Sequence, residues 1–165
     1  MCLQKILEST KQIDADGIYI SLALSEKSKT KLKKYLLENN IKESFNDFHC
    51  TIIYSKKKFS GKIISDFEEI IVEKTSLGRF ENKEKDENVV VLHLDNPKIN
   101  SLHNFYMQNY DFKYDFPDYQ PHMTLTYFGK EINLEDLNDL DFPLIFDKLE
   151  IEKLDDNYVE KIKKD

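Results

Sequence analysis

Two short segments of the chain carry the same arrangement of side chains capable of acid–base chemistry. They read HCTIIY at positions 49–54 and HMTLTY at positions 122–127. In an extended strand, successive side chains alternate between faces, so each histidine and the threonine two residues later project from one face. The pattern therefore predicts polar side chains aligned on two strands: His49, Thr51, His122 and Thr124.

A pair of histidines, one from each segment, suits the cleavage of a phosphodiester. The unperturbed imidazole pKa of about 6.5 lets one ring be neutral and the other protonated at the same pH. The neutral ring can take a proton from an attacking hydroxyl while the protonated ring gives one to the leaving oxygen. The threonine hydroxyls can donate to non-bridging phosphate oxygens as charge builds up. This chemistry needs neither a metal ion nor a cofactor.

Other reaction types lack the residues that they need. Neither motif histidine has an acidic or second imidazole neighbour at metal-ligand spacing on its own strand, so no metal site is predicted. The chain has no glycine-rich phosphate loop, no Gly-x-Ser-x-Gly elbow and no Cys-x-x-Cys pair. Cys50 lies between His49 and Thr51, and alternation directs its thiol to the opposite face.

Hydrophobic periodicity predicts the elements that position the motifs. Besides the motif strands, alternation indicates strands at 18–24, 89–92 and 144–154 and β-prone residues from 69 to 80. Helical spacing predicts one helix capped by Ser25 and another that begins at Asn96-Pro97. The remaining segments are interpreted as a short helix or ordered tail (3–12), a basic loop (55–61), a charged hairpin loop (81–88), an aromatic loop that packs against or caps the site (110–119) and a short helix (134–140).

Further residues are candidates for contacting a ligand. Tyr19 lies on the polar side of the first strand, where it either stacks on a base or sugar or simply covers the sheet. Phe80 is a second candidate for stacking. Glu150 and Glu152 alternate with apolar residues in the last strand. They either face solvent or hydrogen-bond a ligand's base or a catalytic histidine.

The other histidines lack the motif. His93 stands in the strand pattern VLHLD at 91–95, and His103 stands in the second predicted helix. Both are interpreted as structural or solvated residues.

Length and charge limit the classes of protein to which the chain can belong. Its 165 residues are expected to form a single domain, 1–165. A formal net charge of −7 argues against non-specific binding to long nucleic acid or to an anionic membrane. Two cysteines, Cys2 and Cys50, suit free thiols in a reducing cytosol. No segment has the length and apolarity of a membrane span or a cleaved signal, so a soluble, cytoplasmic protein is expected.

The chain resembles the 2H phosphoesterase superfamily in the segments 17–19, 48–55 and 121–127. Within that superfamily it is most similar to the phage anti-CBASS nucleases, which degrade cyclic di- and trinucleotide signals of a bacterial immune pathway. The resemblance implies an α+β, bilobal fold with pseudo-two-fold symmetry, in which antiparallel sheets line a central cleft and helices lie outside. It also implies metal-independent cleavage of 3′-5′ linkages, with His49, Thr51, His122 and Thr124 at the catalytic positions and aromatics near Tyr19 and Phe80 gripping the bases.

Alternative functions remain open at this point. One is a 2H enzyme acting on RNA ends such as a 2′,3′-cyclic phosphate, another is a protein that sequesters a cyclic nucleotide without cutting it, and a third is a structural domain with coincidental motifs. Sequestration requires hydrogen-bond donors but no acid–base pair, so the presence of both motifs favours an enzyme. The sequence leaves open which histidine is the base, and whether water or a substrate 2′-OH attacks.

Overall fold

A computed structural model describes residues 9–42, 48–114 and 118–154 of the chain. These residues form a mixed α+β fold, as the sequence predicts. The elements in chain order are β1 (Thr10–Ala15), β2 (Ile18–Leu24), α1 (Glu26–Glu38), β3 (His49–Ser55), β4 (Phe59–Ile64), β5 (Ile70–Val72), β6 (Lys74–Asn82), β7 (Glu87–Asp95), α2 (Pro97–Asn109), β8 (His122–Thr126) and β9 (Leu144–Lys153).

Seven of these strands pair into one sheet, in the order β5-β9-β2-β3-β8-β7-β6. Each neighbouring pair in it is antiparallel, and the sheet curls into a half-barrel. β1 and β4 form a separate antiparallel pair. The predicted predominance of antiparallel strands is therefore confirmed.

The motif strands β3 and β8 are neighbours within the large sheet. β3 follows β2 and α1 in the chain, and β8 follows β7 and α2, so each motif strand ends a strand–helix–strand unit. β2 pairs with β3 and β7 pairs with β8, and the two units join where β3 meets β8. The two histidines thus come from separate segments of the chain that share one sheet.

Both helices begin at the residues predicted to cap them. Ser25 accepts a hydrogen bond from the backbone N–H of Ser28 at 3.2 Å, and Asn96 accepts one from Lys98 at 2.8 Å. These bonds satisfy amides that have no carbonyl partner in the first helical turn. Because each cap directly follows a strand, it fixes where the chain leaves the sheet.

The central strands have one apolar and one polar face. Leu22, Cys50 and Met123 are fully buried and belong to the hydrophobic core, together with Leu32 of α1 and Ile99 of α2. The motif histidines and threonines alternate with these buried positions and are half-buried. The alternation predicted for both motifs is therefore confirmed.

A β-bulge adjusts the polar face at the end of β3. The register between β2 and β3 shifts at Ile20/Ser21, and both Ile52 and Ile53 are consequently buried. Tyr54 then returns to the polar face, opposite Tyr19. Bulges commonly re-aim side chains in this way.

Three segments differ from their predicted structure. Residues 10–12, predicted as part of a short helix or ordered tail, lie in β1 (Thr10–Ala15), and residues 59–61 of the predicted basic loop lie in β4 (Phe59–Ile64). These segments pair with each other over a long sequence distance, which local periodicity does not report. Within 134–140 the structure has only a 3-10 turn, Leu134–Asp136. Residues 3–8 of the predicted first helix lie outside the described residues.

Neither described helix, at 13 residues each, has the length and apolar character of a segment that crosses a bilayer.

Candidate active site

The four motif side chains come together across the junction of β3 and β8. Cys50 lies opposite Met123 in this antiparallel pair. Because the two strands run in opposite directions, the residue after Cys50 lies opposite the residue before Met123. Thr51 therefore lies beside His122, and His49 lies beside Thr124. The two histidines occupy diagonal positions, which in β-sheets are about 7–8 Å apart.

Tyr19 of β2 contacts both residues of the first motif. Its hydroxyl and the Thr51 hydroxyl are 2.9 Å apart and share a hydrogen bond. The Tyr19 ring lies edge-on to the His49 ring, with centroids 6.0 Å apart. Only 8% of Tyr19 is exposed. Tyr19, predicted either to stack on a ligand or to cover the sheet, therefore has little exposed ring surface and orders the motif beside it.

Tyr127 gives the second motif a similar partner. Its hydroxyl is hydrogen-bonded to the Thr124 side chain. Burial is the main influence on Tyr127 and raises its pKa, while the bond to Thr124 acts in the lowering direction. Each motif threonine therefore has a tyrosine hydroxyl as a neighbour.

The His122 ring is oriented by the backbone just before it. Its Nδ1 lies 2.8 Å from the carbonyl oxygen of Gln120, and a carbonyl can only accept, so Nδ1 carries the proton. Burial lowers the pKa of His122 from 6.5, and the nearby His93 lowers it further, while the Gln120 bond acts in the opposite direction. The neutral ring is favoured, and in this tautomer Nε2 carries the lone pair.

Phe80, the second predicted ligand contact, lies beside the second motif. Its ring is edge-on to His122, with centroids 5.0 Å apart, and edge-on to His93 at 5.8 Å. Phe80 is 39% exposed, so it has ring surface available to a ligand. In this respect it differs from Tyr19.

His93 lies in the site, although the sequence interpretation leaves it as structural or solvated. It is the register partner of His122 on β7 and is half-buried. A signal was present in the sequence, because alternation in β7 places His93 and Val91 on one face and Leu92 on the other. Which neighbour that face meets depends on the pairing of β7 with β8, and the single sequence does not reveal it.

Glu150 and Glu152 of β9 lie at the rim of the same polar face. Glu150 is opposite Ser21, and Glu152 is opposite Tyr19. Both glutamates are exposed. Because Ser21 is in turn opposite Thr51, Glu150 stands two strands away from the first motif.

The opposite face of β3 holds a buried aromatic cluster. The Tyr119 hydroxyl donates to the Thr51 carbonyl at 2.7 Å, and the Tyr119 ring stacks on His103 with centroids 3.9 Å apart. His103 Nδ1 lies 2.8 Å from the Ile52 carbonyl. Burial raises the pKa of the Cys50 thiol to about 12. The high pKa keeps the Cys50 thiol protonated. The cluster packs against the core-facing side of β3, and His103 has a structural role within it.

Among residues 9–42, 48–114 and 118–154, no three or more histidine, cysteine or acidic side chains are grouped as they would be to hold a metal ion.

Comparison with known proteins identifies the family. A model of the family described as anti-CBASS protein Acb1 matches residues 16–161. This span is most of the chain and includes both motifs, so the chain belongs to the anti-CBASS protein Acb1 family. It is also similar to the anti-CBASS protein Acb1 of Vibrio phage KVP40, with 24% identity over 123 residues, which are 73% of this chain and 79% of the relative.

Proposed function

We propose that the protein is a metal-independent phosphodiesterase of the 2H type that hydrolyses 3′-5′ linkages in cyclic di- or trinucleotide immune signals. In this role it lets a phage evade CBASS defence within the cytoplasm of the infected bacterium. Membership of the anti-CBASS protein Acb1 family supports the biological role. The arrangement of the two motifs supports the chemistry.

The observation that carries the proposal is the register of β3 and β8. The single pair Cys50–Met123 sets each histidine beside the threonine of the other motif. A phosphate placed on the polar face, over the junction of the two strands, then has a hydroxyl donor and an imidazole on each side. Positioning of this kind, with donors arranged before the reaction, is a major source of catalytic power.

His122 is the general base in this proposal, and His49 is the general acid. The lowered pKa of His122 and its Nδ1 bond to Gln120 leave Nε2 ready to accept a proton. His122 takes the proton from the attacking hydroxyl, and His49 gives a proton to the leaving oxygen. The attacking hydroxyl belongs either to water or to the substrate 2′ position.

Thr51 and Thr124 stabilise the charge that develops on the phosphate. Their hydroxyls donate to non-bridging oxygens, and Tyr19 and Tyr127 keep those hydroxyls oriented. A donor held in place before the reaction needs no reorganisation as the charge develops.

The bases of the substrate are gripped at the edges of the polar face. Phe80 offers a partly exposed ring beside His122, suitable for stacking on one base. Glu150 and Glu152 lie at the opposite rim and can accept hydrogen bonds from the donor edge of another base. Tyr19 acts mainly through Thr51 in this arrangement.

The bilobal, pseudo-two-fold relation belongs to the same proposal. The unit β2–α1–β3 and the unit β7–α2–β8 have the same order of elements, and each ends in a motif strand. A two-fold axis between β3 and β8 would relate the two histidines. Such a relation explains why one phosphate meets equivalent groups from both sides.

The test is incubation of the EDTA-treated protein with a panel of cyclic di- and trinucleotides, followed by chromatographic separation and identification of the products by mass. Separation is needed because a linear product that ends in a 2′,3′-cyclic phosphate has the same mass as the intact ring. We expect linear products. A product with a 2′,3′-cyclic phosphate indicates attack by the 2′-OH, and a product heavier by one water indicates attack by water. Loss of activity on chelation would reject the metal-independent mechanism.

Controls separate the alternative functions. His49→Ala and His122→Ala should lose most of the activity, and Cys50→Ala, in the same strand as His49 but facing the core, should keep it. Faster turnover of linear RNA carrying a 2′,3′-cyclic end would favour the RNA-end enzyme. Recovery of intact ligand after denaturation of the complex would favour sequestration.

A further inference from the structure

A third histidine extends the row of polar side chains across the sheet. His93 of β7 is paired in register with His122 on one side and with Ser76 of β6 on the other. Register partners on neighbouring strands point to the same face and interact directly. The imidazole of His93 therefore lies on the site face, next to the histidine that the proposed function assigns as base.

The His93 ring occupies a space that exists because residue 78 is glycine. A Cβ atom added at Gly78 would overlap His93 Nε2 and would come within 2.7 Å of Cδ2. The ring therefore leans across the β6 backbone. Phe80, two residues further along β6, lies edge-on to both His93 and His122. Three rings are thus packed together over one glycine.

We propose that His93 is a positioning residue for the reaction: from its place over Gly78 it holds the Phe80 and His122 rings and opposes a positive charge on His122. This inference rests on the proposed function, in which His122 acts as the base. His93 acts through His122 and has no role of its own in the transfer of protons to or from the substrate.

The electrostatic part follows from the groups that face His122. The titratable side chains on the site face include His49 on β3, two residues of β7, His93 and Asp95, and, one strand further, Tyr19 on β2. Phe80 on β6 is uncharged. The carboxylate of Asp95 lies at the exposed end of β7, opposite Lys74, and Glu150 lies further away, beyond β2 on β9. Of these groups His93 is the direct register partner of His122, and it opposes protonation of the His122 ring.

The main experiment compares the wild type with His93→Gln. The variant keeps a polar side chain that cannot take up a proton, so His122 should become easier to protonate. We expect the acidic limb of the pH profile of kcat/KM to move to higher pH. NMR titration of the His122 ring should show a rise of its pKa in the same variant. A purely structural role for His93 would lower activity evenly at all pH values and leave that titration in place.

A second variant moves His93 without removing it. Gly78→Ala should displace the ring, because the added Cβ needs the space that Nε2 occupies. We expect a decrease in kcat, with a smaller change in KM. In a His93→Ala background the same substitution should lower kcat much less, because the space beside Gly78 is then empty. Equal losses in both backgrounds would mean that Gly78 acts independently of His93.

The outcomes separate this inference from the proposed function. If the wild type cleaves a cyclic nucleotide but neither the His122 titration nor the acidic limb moves in His93→Gln, the inference about His93 is wrong and the proposed function stands. If the titration moves but no variant or wild type cleaves any phosphodiester, the coupling of the two rings stands and the proposed function is wrong. Thr75→Ala, on β6 and opposite Leu94, is the control and should match the wild type.

Discussion

The two motif copies contain the same reactive side chains in very different surroundings. The ring of His49 lies edge-on to Tyr19 and opposite the small Ala23 of β2. The ring of His122 donates a hydrogen bond to a backbone carbonyl and packs against Phe80. Its register partner on β7 is another histidine. The two histidines therefore have different neighbours, although their motifs are alike.

In the proposed function, this difference distinguishes the base from the acid. Burial and a nearby histidine favour the neutral form of His122, which suits a base. Each motif threonine has a tyrosine hydroxyl as a neighbour, so the threonines of the two motifs have similar surroundings. The two motifs therefore differ in the surroundings of their histidines and agree in the surroundings of their threonines.

The largest effect is expected from removing either histidine. His49→Ala and His122→Ala should each lower kcat by about 10²–10⁴-fold, the usual contribution of a general acid or base. The pH profiles of the residual activity would sharpen the comparison. His122→Ala should lose the acidic limb, and His49→Ala should lose the basic limb. The reverse pattern would exchange the two roles.

Removing a threonine hydroxyl should have the next largest effect. Thr51→Val and Thr124→Val should each reduce kcat by about 10²–10³-fold, as expected for loss of a donor to developing charge. Serine at either position should keep most of the activity. Thr126→Val is the control in β8, because Thr126 is buried on the core side. Losses that differ strongly between Thr51 and Thr124 would contradict the symmetric phosphate site.

The tyrosines should contribute less. Tyr19→Phe removes the hydrogen bond to Thr51, and Tyr127→Phe removes the one to Thr124. One hydrogen bond is worth about 0.5–1.5 kcal/mol, so kcat should fall by about 2–10-fold in each variant. Steady-state kinetics at one pH suffices for this comparison. A change confined to KM would assign the hydroxyls to ground-state binding.

The acidic limb of the wild-type pH profile of kcat/KM tests the environment of His122. Because its pKa is lowered from 6.5, more than half of His122 remains neutral at pH 6.5. The acidic limb of kcat/KM should therefore lie below pH 6.5, and activity should fall only as the pH decreases further. A limb above pH 6.5 would show that His122 is not the base or is not buried as described.

The residues between each histidine and threonine should affect stability alone. Met123→Ala should lower the free energy of unfolding by about 2–5 kcal/mol, as is usual for a buried methionine. Cys50→Ala should also destabilise the fold, by a smaller amount. Both variants should keep kcat/KM near the wild-type value at a temperature where they are folded. Loss of activity in a folded variant would contradict the separation of the two faces.

The sequence predicted the parts of this site that depend on short-range patterns. Alternation placed His49 and Thr51 on one face with Cys50 on the other, and the capping residues Ser25 and Asn96 begin the two helices. These features depend on neighbours a few residues apart. They are therefore readable in a single sequence.

The features that depend on pairing between distant segments were not predictable in the same way. β1 and β4 pair across about fifty residues, and each looks irregular by itself. His93 became part of the site only through the register of β7 with β8. Tyr19 was recognised as a site residue, but its bond to Thr51 follows from the pairing of β2 with β3.

The most direct test is a crystal structure of the His49→Ala variant with an uncleaved cyclic dinucleotide. We predict one phosphate on the polar face, over the junction of β3 and β8. Its non-bridging oxygens should lie within hydrogen-bond distance of the hydroxyls of Thr51 and Thr124. Nε2 of His122 should lie near the attacking hydroxyl. A nucleotide bound elsewhere, or a phosphate touching only one motif, would contradict the account.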